Sequence, residues 1–228
     1  MVARTAAVFF DVDFTLIHPG PRFQGVGYQE SCARHGVDAD AARFDAAVAG
    51  ASAVLESADA LYDAELYLKY TRRIIELMGG AGAGVDRVAR EIYDDWAEHH
   101  HFSLYDDVPD ALRALHDGGV RLGLISNSHR CLVSFQSHFE LEELIAVSIS
   151  SSQHGFLKPH PSIFNAAMSL MGVGAGESMM VGDSLAHDVR GAERAGMRGV
   201  LLARGGAPSG VPADVPVIHT LRDLTDLI

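Results

Sequence analysis

The sequence predicts an α/β fold, a doubly wound parallel sheet joined to a smaller all-helical domain, on three observations. The second half alternates short apolar runs with helical-period segments, the pattern of right-handed crossovers that make every strand parallel and cover both faces of a sheet. A separate apolar run, Ala6–Phe10, stands near the start and ends abruptly in acids. Between these, from about Gln24 to His101, the chain is rich in Ala, Glu, Arg and Leu and nearly free of strand-like runs. The expected division is a core of residues 1–17 and 103–228 and a helical domain of 18–102.

Taken in order, Ala6–Phe10 reads as a buried strand because it is continuously apolar and closed by polar residues. His18-Pro19-Gly20-Pro21 breaks the pattern and reads as a loop. The helical stretch holds four helices or so. Leu61, Leu66, Leu68, Ile74, Ile75, Leu77 and Met78 mark a long one ending at Gly79-Gly80, and Val88, Ile92, Tyr93 and Trp96 mark another over Asp86–His99. Asp106 or Asp107 with Pro109 starts the next helix, which Gly118-Gly119 ends. Strands then come at Val120–Ile125, Ile145–Ile149, Ser178–Val181 and Gly199–Ala203, with a short last one at Val215–Ile218. Helices alternate with them at Arg130–Phe139, Ser162–Met171, Ala186–Ala195 and Leu221–Leu227.

The 228 residues suffice for a sizeable core, and 48% hydrophobic with 21% charged residues is ordinary globular composition. Thirty acids against eighteen bases give a formal charge of -12, which argues against nucleic acid or an anionic membrane as the main partner. Cys32 and Cys131 lie far apart without metal-ligand spacing and read as reduced structural thiols. The first apolar run is too short for a signal peptide. The longest stretch without an acid, lysine or arginine, Pro159–Gly176, holds two prolines and three glycines and is no membrane span. A soluble, cytoplasmic protein is expected.

In a parallel sheet the ligand crevice lies beyond the carboxyl ends of the strands, so the residues just after each strand are the informative ones. Asp11 and Asp13 leave the first strand on the same side, because strand side chains alternate. Ser126, Asn127 and Ser128 come after the second strand, Lys158-Pro159 precedes a helix, and Gly182, Asp183, Ser184 and Asp188 come after another strand. Singly these are a solvated pair of acids, a helix cap, an exposed turn and a turn tripeptide. Together they bring four acids and one lysine to one edge, a cluster strongly unfavourable without a divalent cation. All-oxygen ligands favour a hard ion, most naturally Mg2+. Ser126, Asn127 and a helix start offer an anion cradle. A carboxylate nucleophile, a second carboxylate, a hard cation, a lysine and a phosphate cradle describe phosphoryl transfer through an aspartyl phosphate.

The segments DVDFT, LISNS, LKP and GDSLAHD, in this order, resemble the four motifs of the haloacid dehalogenase superfamily, and the helical insert resembles its first class of cap. The resemblance implies a Rossmann-like core and, position by position, a set of roles. Asp11 would be the nucleophile and a Mg2+ ligand. Asp13 would be general acid and then base, with its backbone carbonyl on the metal. Thr15 would brace the turn that orients Asp13. Ser126 and the Asn127 N–H would hold the phosphoryl group, and Lys158 would offset charge on Asp11 and phosphate. Asp183 would bind Mg2+, and Asp188 would bind it through water or position Lys158. The substrate would be a small phosphorylated metabolite, enclosed by a mobile cap that excludes water.

One departure is Phe14, where the subgroup usually has glycine; a positive φ there would strain a phenylalanine, and the expectation is a loop that accepts the side chain, with Phe14 beneath the cap or walling the pocket. A 2-haloacid dehalogenase is the competing activity, but such enzymes lack an acid two residues after the nucleophile, and Asp13 is present. A phosphomutase or phosphonate hydrolase belongs to the same superfamily, and a non-catalytic binding module would be free to lose the residues that are all present here. His99–His101 are consecutive and cannot share a helix face as ligands, so they read as a solvated helix end. The glycine-rich Gly79–Gly84 comes after a helix and reads as a turn. Arg22, Phe23, Gln24 and Tyr28 stand where caps of this kind often touch substrate.

Overall fold

The first apolar run becomes the strand on which the sheet is built. The computed structural model describes residues 4–56, 61–206 and 210–228, and in it β1 (Ala7–Phe10) is buried at all four positions. The chain divides into two compact units, Met1–His18 with Leu104–Ile228, and Pro19–Ser103. It leaves the first through β2 (Ile17–Pro19).

The second unit contains α1 (Gly25–Arg34), α2 (Phe44–Glu56), α3 (Ala64–Leu77) and α4 (Val85–Asp95). The long helix starts at Ala64 rather than Leu61, because the Asp63 carboxylate caps it by accepting the Glu65 N–H at 2.9 Å. Its buried residues Leu68, Thr71, Ile74 and Ile75 form one stripe, and Val85, Val88, Ala89, Ile92 and Tyr93 do the same on α4. α3 packs between α2 and α4. The three histidines differ from expectation: α4 stops at Asp95, and His99–His101 make a 3₁₀ turn of their own.

After β3 (Phe102–Leu104) the chain alternates as the periodicity predicts: α5 (Val108–Asp117), β4 (Arg121–Ser126), α6 (Leu132–His138), β5 (Ile145–Ser150), a short α7 (Ser151–His154), α8 (Pro161–Met171), β6 (Ser178–Gly182), α9 (Arg190–Arg194), β7 (Arg198–Leu202) and β8 (Val217–Ile218). The six-stranded sheet has the order β5-β4-β1-β6-β7-β8, and every pairing is parallel. Phe10 is in register with Leu124 of β4 and Val181 of β6, so the residues after these three central strands emerge side by side. Ala7 and Phe9 pack with Ile163, Phe164, Ala167 and Met168 of α8, while Val8 and Phe10, on the other face, are equally buried.

Two expected helices take other forms. Ala186–Ala195 is not one α-helix; a π turn over Leu185–Val189 precedes α9. The last segment, Leu221–Asp226, is 3₁₀ rather than α. Asp107 occupies the N-cap position of α5 but makes no capping bond, because its carboxylate accepts from the Leu221 N–H at 2.7 Å and the Thr220 hydroxyl at 2.7 Å. Among the described residues no helix is long and apolar enough to cross a membrane.

Glu91 gathers three basic side chains of the helical unit. Its carboxylate takes the Arg22 guanidinium at 2.8 Å, His35 Nε2 at 2.6 Å, and Arg34. Burial works to raise the Glu91 pKa, but Arg34, His35 and Arg22 more than offset it and hold the group below its ordinary value. A depressed carboxylate contributes stability that is present above its unfolded pKa of about 4.3 and is lost as pH falls through the folded value. Glu91→Gln should therefore lower stability at pH 7 by about 1 kcal/mol. Urea unfolding should show the gap from the native protein closing as pH falls from about 5 to about 3; a gap of constant size would contradict the pairing.

Candidate active site

The site is built where β1, β4 and β6 end. Asp11 comes directly after β1, and its N–H still donates to the Val181 carbonyl at 2.9 Å, which keeps it in sheet register. The next residues close a tight turn: the Phe14 N–H donates to the Ile17 carbonyl and the Leu16 N–H to the Val12 carbonyl, both at 2.8 Å. The turn places Phe14 at φ +63°, so the expected loop that accepts a side chain without strain is corrected. The backbone is left-handed there, the strained alternative of about 1–2 kcal/mol, and the residue is 45% exposed.

Lys158 is 2% exposed and reaches the carboxylate end of β1 from the segment before α8. Its Nζ donates to Asp11 Oδ1 at 2.5 Å and to the Ile125 carbonyl at 2.7 Å, and lies 2.7 Å from Asp188 Oδ1. The Asn127 side chain fixes the lysine's backbone twice, Nδ2 donating to the Lys158 carbonyl at 2.9 Å and Oδ1 accepting the Lys158 N–H at 2.7 Å. Asn127 thus contributes an amide clamp that the sequence did not suggest. Ser126, fully buried, donates to the Ser128 hydroxyl at 2.9 Å.

Asp188 is brought in by the π turn. The Asp188 and Val189 N–H groups both donate to the Ser184 carbonyl, at 3.0 and 3.2 Å, and the Ser184 N–H returns a bond to Asp188 Oδ2 at 3.0 Å. Carboxylate oxygens of Asp11, Asp183 and Asp188 lie within 4.8 Å of one another. Asp13 stands apart from this trio, its Oδ1 accepting from Arg130 Nη2 at 2.9 Å.

The electrostatics result from crowding. Burial raises the Asp11 pKa well above the usual carboxylate range, Lys158 opposes the rise, and Asp188 and Asp183 add to it. Asp183 is pushed up to about 7, by burial first and then by Asp188; its exposed edge leaves it the more water-screened of the two. Burial works to lower Lys158, but Asp11 and Asp188 more than offset it and hold the ammonium charged. One lysine does not neutralise three close carboxylates, and their oxygen donors suit a hard divalent ion.

Thr15 does not brace the turn through its hydroxyl, which is buried and has no hydrogen-bond partner among the described residues. Its carbonyl does so, accepting from Arg204 Nη2 at 2.8 Å. Arg204 pairs in turn with Asp107 at 2.9 Å and lies 3.9 Å from the centre of the Tyr105 ring. Arg130 and Arg204 escaped the sequence reasoning. A base at the predicted start of a helix runs against the macrodipole preference for acids there, and that was the available signal for Arg130. Three of the four expected substrate contacts after the first motif are engaged within the helical unit: Arg22 Nε bonds Asp95 at 2.7 Å, Phe23 packs on Trp96 at 4.5 Å, and Tyr28 packs on Phe44 at 4.9 Å.

A parallel sheet that delivers a lysine-paired aspartate and an acidic cluster to its carboxyl edge defines a doubly wound α/β protein with a charged site at its rim. The family model described as haloacid dehalogenase-like hydrolase matches residues 5–196, and the chain belongs to that family. It is 28% identical over 144 residues to the Xenopus laevis haloacid dehalogenase-like hydrolase domain-containing protein 3, covering 63% of this chain and 59% of that protein. It is 34% identical over 134 residues to the glyceraldehyde 3-phosphate phosphatase of Methanopyrus kandleri, covering 54% of this chain and 56% of that enzyme. The matches thus span under three-fifths of these relatives' own length. The crystal structure of a HAD phosphatase from Thermococcus onnurineus superposes with a TM-score of 0.68 at 25% identity, covering 98% of this chain and 97% of that one.

Gly182 marks how tightly the acids are set. A Cβ there would lie 2.2 Å from Asp188 Oδ2, inside any allowed contact. Gly182→Ala must displace the Asp188 carboxylate, and should lower stability by about 1–3 kcal/mol. Thermal unfolding checks the loss, and a variant as stable as the native protein would mean that Asp188 moves aside without cost.

Proposed function

We propose that this protein is a Mg2+-dependent phosphatase that hydrolyses a small phosphate monoester through an aspartyl phosphate on Asp11. The observation that carries the proposal is the buried Lys158 bonded to Asp11 beside two further carboxylates. Relatives named as phosphatases support the same chemistry.

Asp11 and Asp183 would hold the ion, with Asp188 alongside and the Asp13 carbonyl as a further oxygen; when bound, it offsets carboxylate charge and polarises the phosphate. The Asp11 carboxylate attacks phosphorus, a P–O bond to Asp11 forms, and the bond to the leaving oxygen breaks as Asp13 gives that oxygen a proton. Asp13 then takes a proton from the water that cleaves the aspartyl phosphate, which returns free Asp11 and inorganic phosphate. Lys158 is ready-made for this path, since it already neutralises the nucleophile and needs no reorganisation as charge moves to the phosphoryl oxygens. Ser126 and the Asn127 N–H complete the cradle, and the Asn127 side chain keeps Lys158 in place. Residues 18–102 act as the cap that selects the substrate and excludes water. A carboxyl group at Asp13 that can donate a proton favours this reaction over dehalogenation, whose halide leaving group needs none.

A panel of phosphorylated sugars, nucleotides, amino acids and glycolate, assayed with and without Mg2+, tests the proposal. Phosphate release should need Mg2+ and fall at least about a thousandfold in Asp11→Asn. Turnover by that variant equal to the native protein's would rule out the covalent route.

A further inference from the structure

We infer that Arg130 is a positioning residue for Asp13, its buried guanidinium fixing the direction from which the Asp13 carboxylate meets the leaving oxygen. The inference rests on the phosphatase reading and extends it to a residue outside the four motifs. Arg130 lies in the connection from β4 to α6, and β4 is the sheet neighbour of β1, so the two connections emerge side by side. Its side chain is 0% exposed, while that of Asp13 keeps 17%. Nη2 meets Asp13 Oδ1 at 2.9 Å, which anchors one carboxylate oxygen and leaves the group an open edge.

Two physical considerations point from this pair to positioning. Burying a guanidinium is costly, and an apolar side chain of similar volume generally serves a core as well or better, so packing alone gives no reason for arginine. The turn over Val12–Ile17 fixes the backbone of Asp13 through the Phe14 and Leu16 N–H groups but leaves the side-chain torsions to be set by a partner. A planar guanidinium sets direction as well as distance, which an ammonium does not. A displacement of about 1 Å of a general acid is enough to cost on the order of a hundredfold.

Leaving-group dependence separates positioning from mere structural support. Proton donation matters for an alkyl phosphate and little for p-nitrophenyl phosphate, whose leaving group departs as a stable anion. In Arg130→Met, kcat/KM for the best alkyl phosphate of the panel should fall by at least about 30-fold, with less than about threefold loss for p-nitrophenyl phosphate. Arg130→Lys, which keeps the buried charge, should show the same selectivity with a smaller loss, and it carries the test if the methionine variant does not fold. Asp13→Asn should lower kcat/KM for the alkyl phosphate at least as far, and Arg130→Met should add little to that loss. Equal losses on both esters, or no loss on either, would overturn the inference. A urea-unfolding double-mutant cycle of Arg130→Lys and Asp13→Asn reads the pair without any turnover, and coupling near zero would overturn it too. Native protein that hydrolyses neither ester with Mg2+ would instead sink the phosphatase reading, leaving the cycle to judge the pair.

Discussion

One ammonium group buried between carboxylates holds the working edge of the sheet together. Lys158 bonds Asp11 after β1 and the Ile125 carbonyl on β4, and pairs with Asp188 from the segment after β6. Three neighbouring strands are thereby tied at their carboxyl ends by a single charge. Burial alone would strip that charge from the lysine, and the two acids keep it. The dependence is mutual, since burial pushes Asp11 towards its protonated form and the ammonium opposes that push. The clamp from Asn127 and the bare backbone at Gly182 serve this contact, one by holding the lysine's main chain and the other by leaving room for Asp188.

Most of this edge was legible in the sequence, because a topological rule converts strand ends into neighbours. Asp11, Lys158, Asp183 and Asp188 needed only a correct alternation of strands and helices to be brought together. Other features were hidden for separate physical reasons. Arg204 acts on a backbone carbonyl, and any residue at position 15 would offer the same acceptor. Arg130 gave only the weak signal of a base at a predicted helix start, which points to no particular partner. The left-handed turn at Phe14 is a property of φ that no aromatic side chain advertises. The π turn escaped because one extra residue in a single turn keeps apolar residues close enough to helical spacing to pass as α.

The helical unit has a different logic. Its stability comes from stripes on α3 and α4 and from charge gathered around Glu91, with Arg22 pulled into the same network through Asp95. Residues that sequence position marked for ligand contact are thus partly occupied in holding the unit's own helices. Gln24 remains exposed at the start of α1.

The π turn at Leu185–Val189 carries an implication for how this chain can change over time. An i→i+5 bond stores one residue more than an α turn, and each residue rotates a helix by about 100°. Deleting a single amino acid there would let the backbone relax into regular α geometry and swing the carboxylate at 188 away from its lysine. The number of residues between Gly182 and α9 is thus under the same constraint as Asp183 and Asp188, the acids it sets in place.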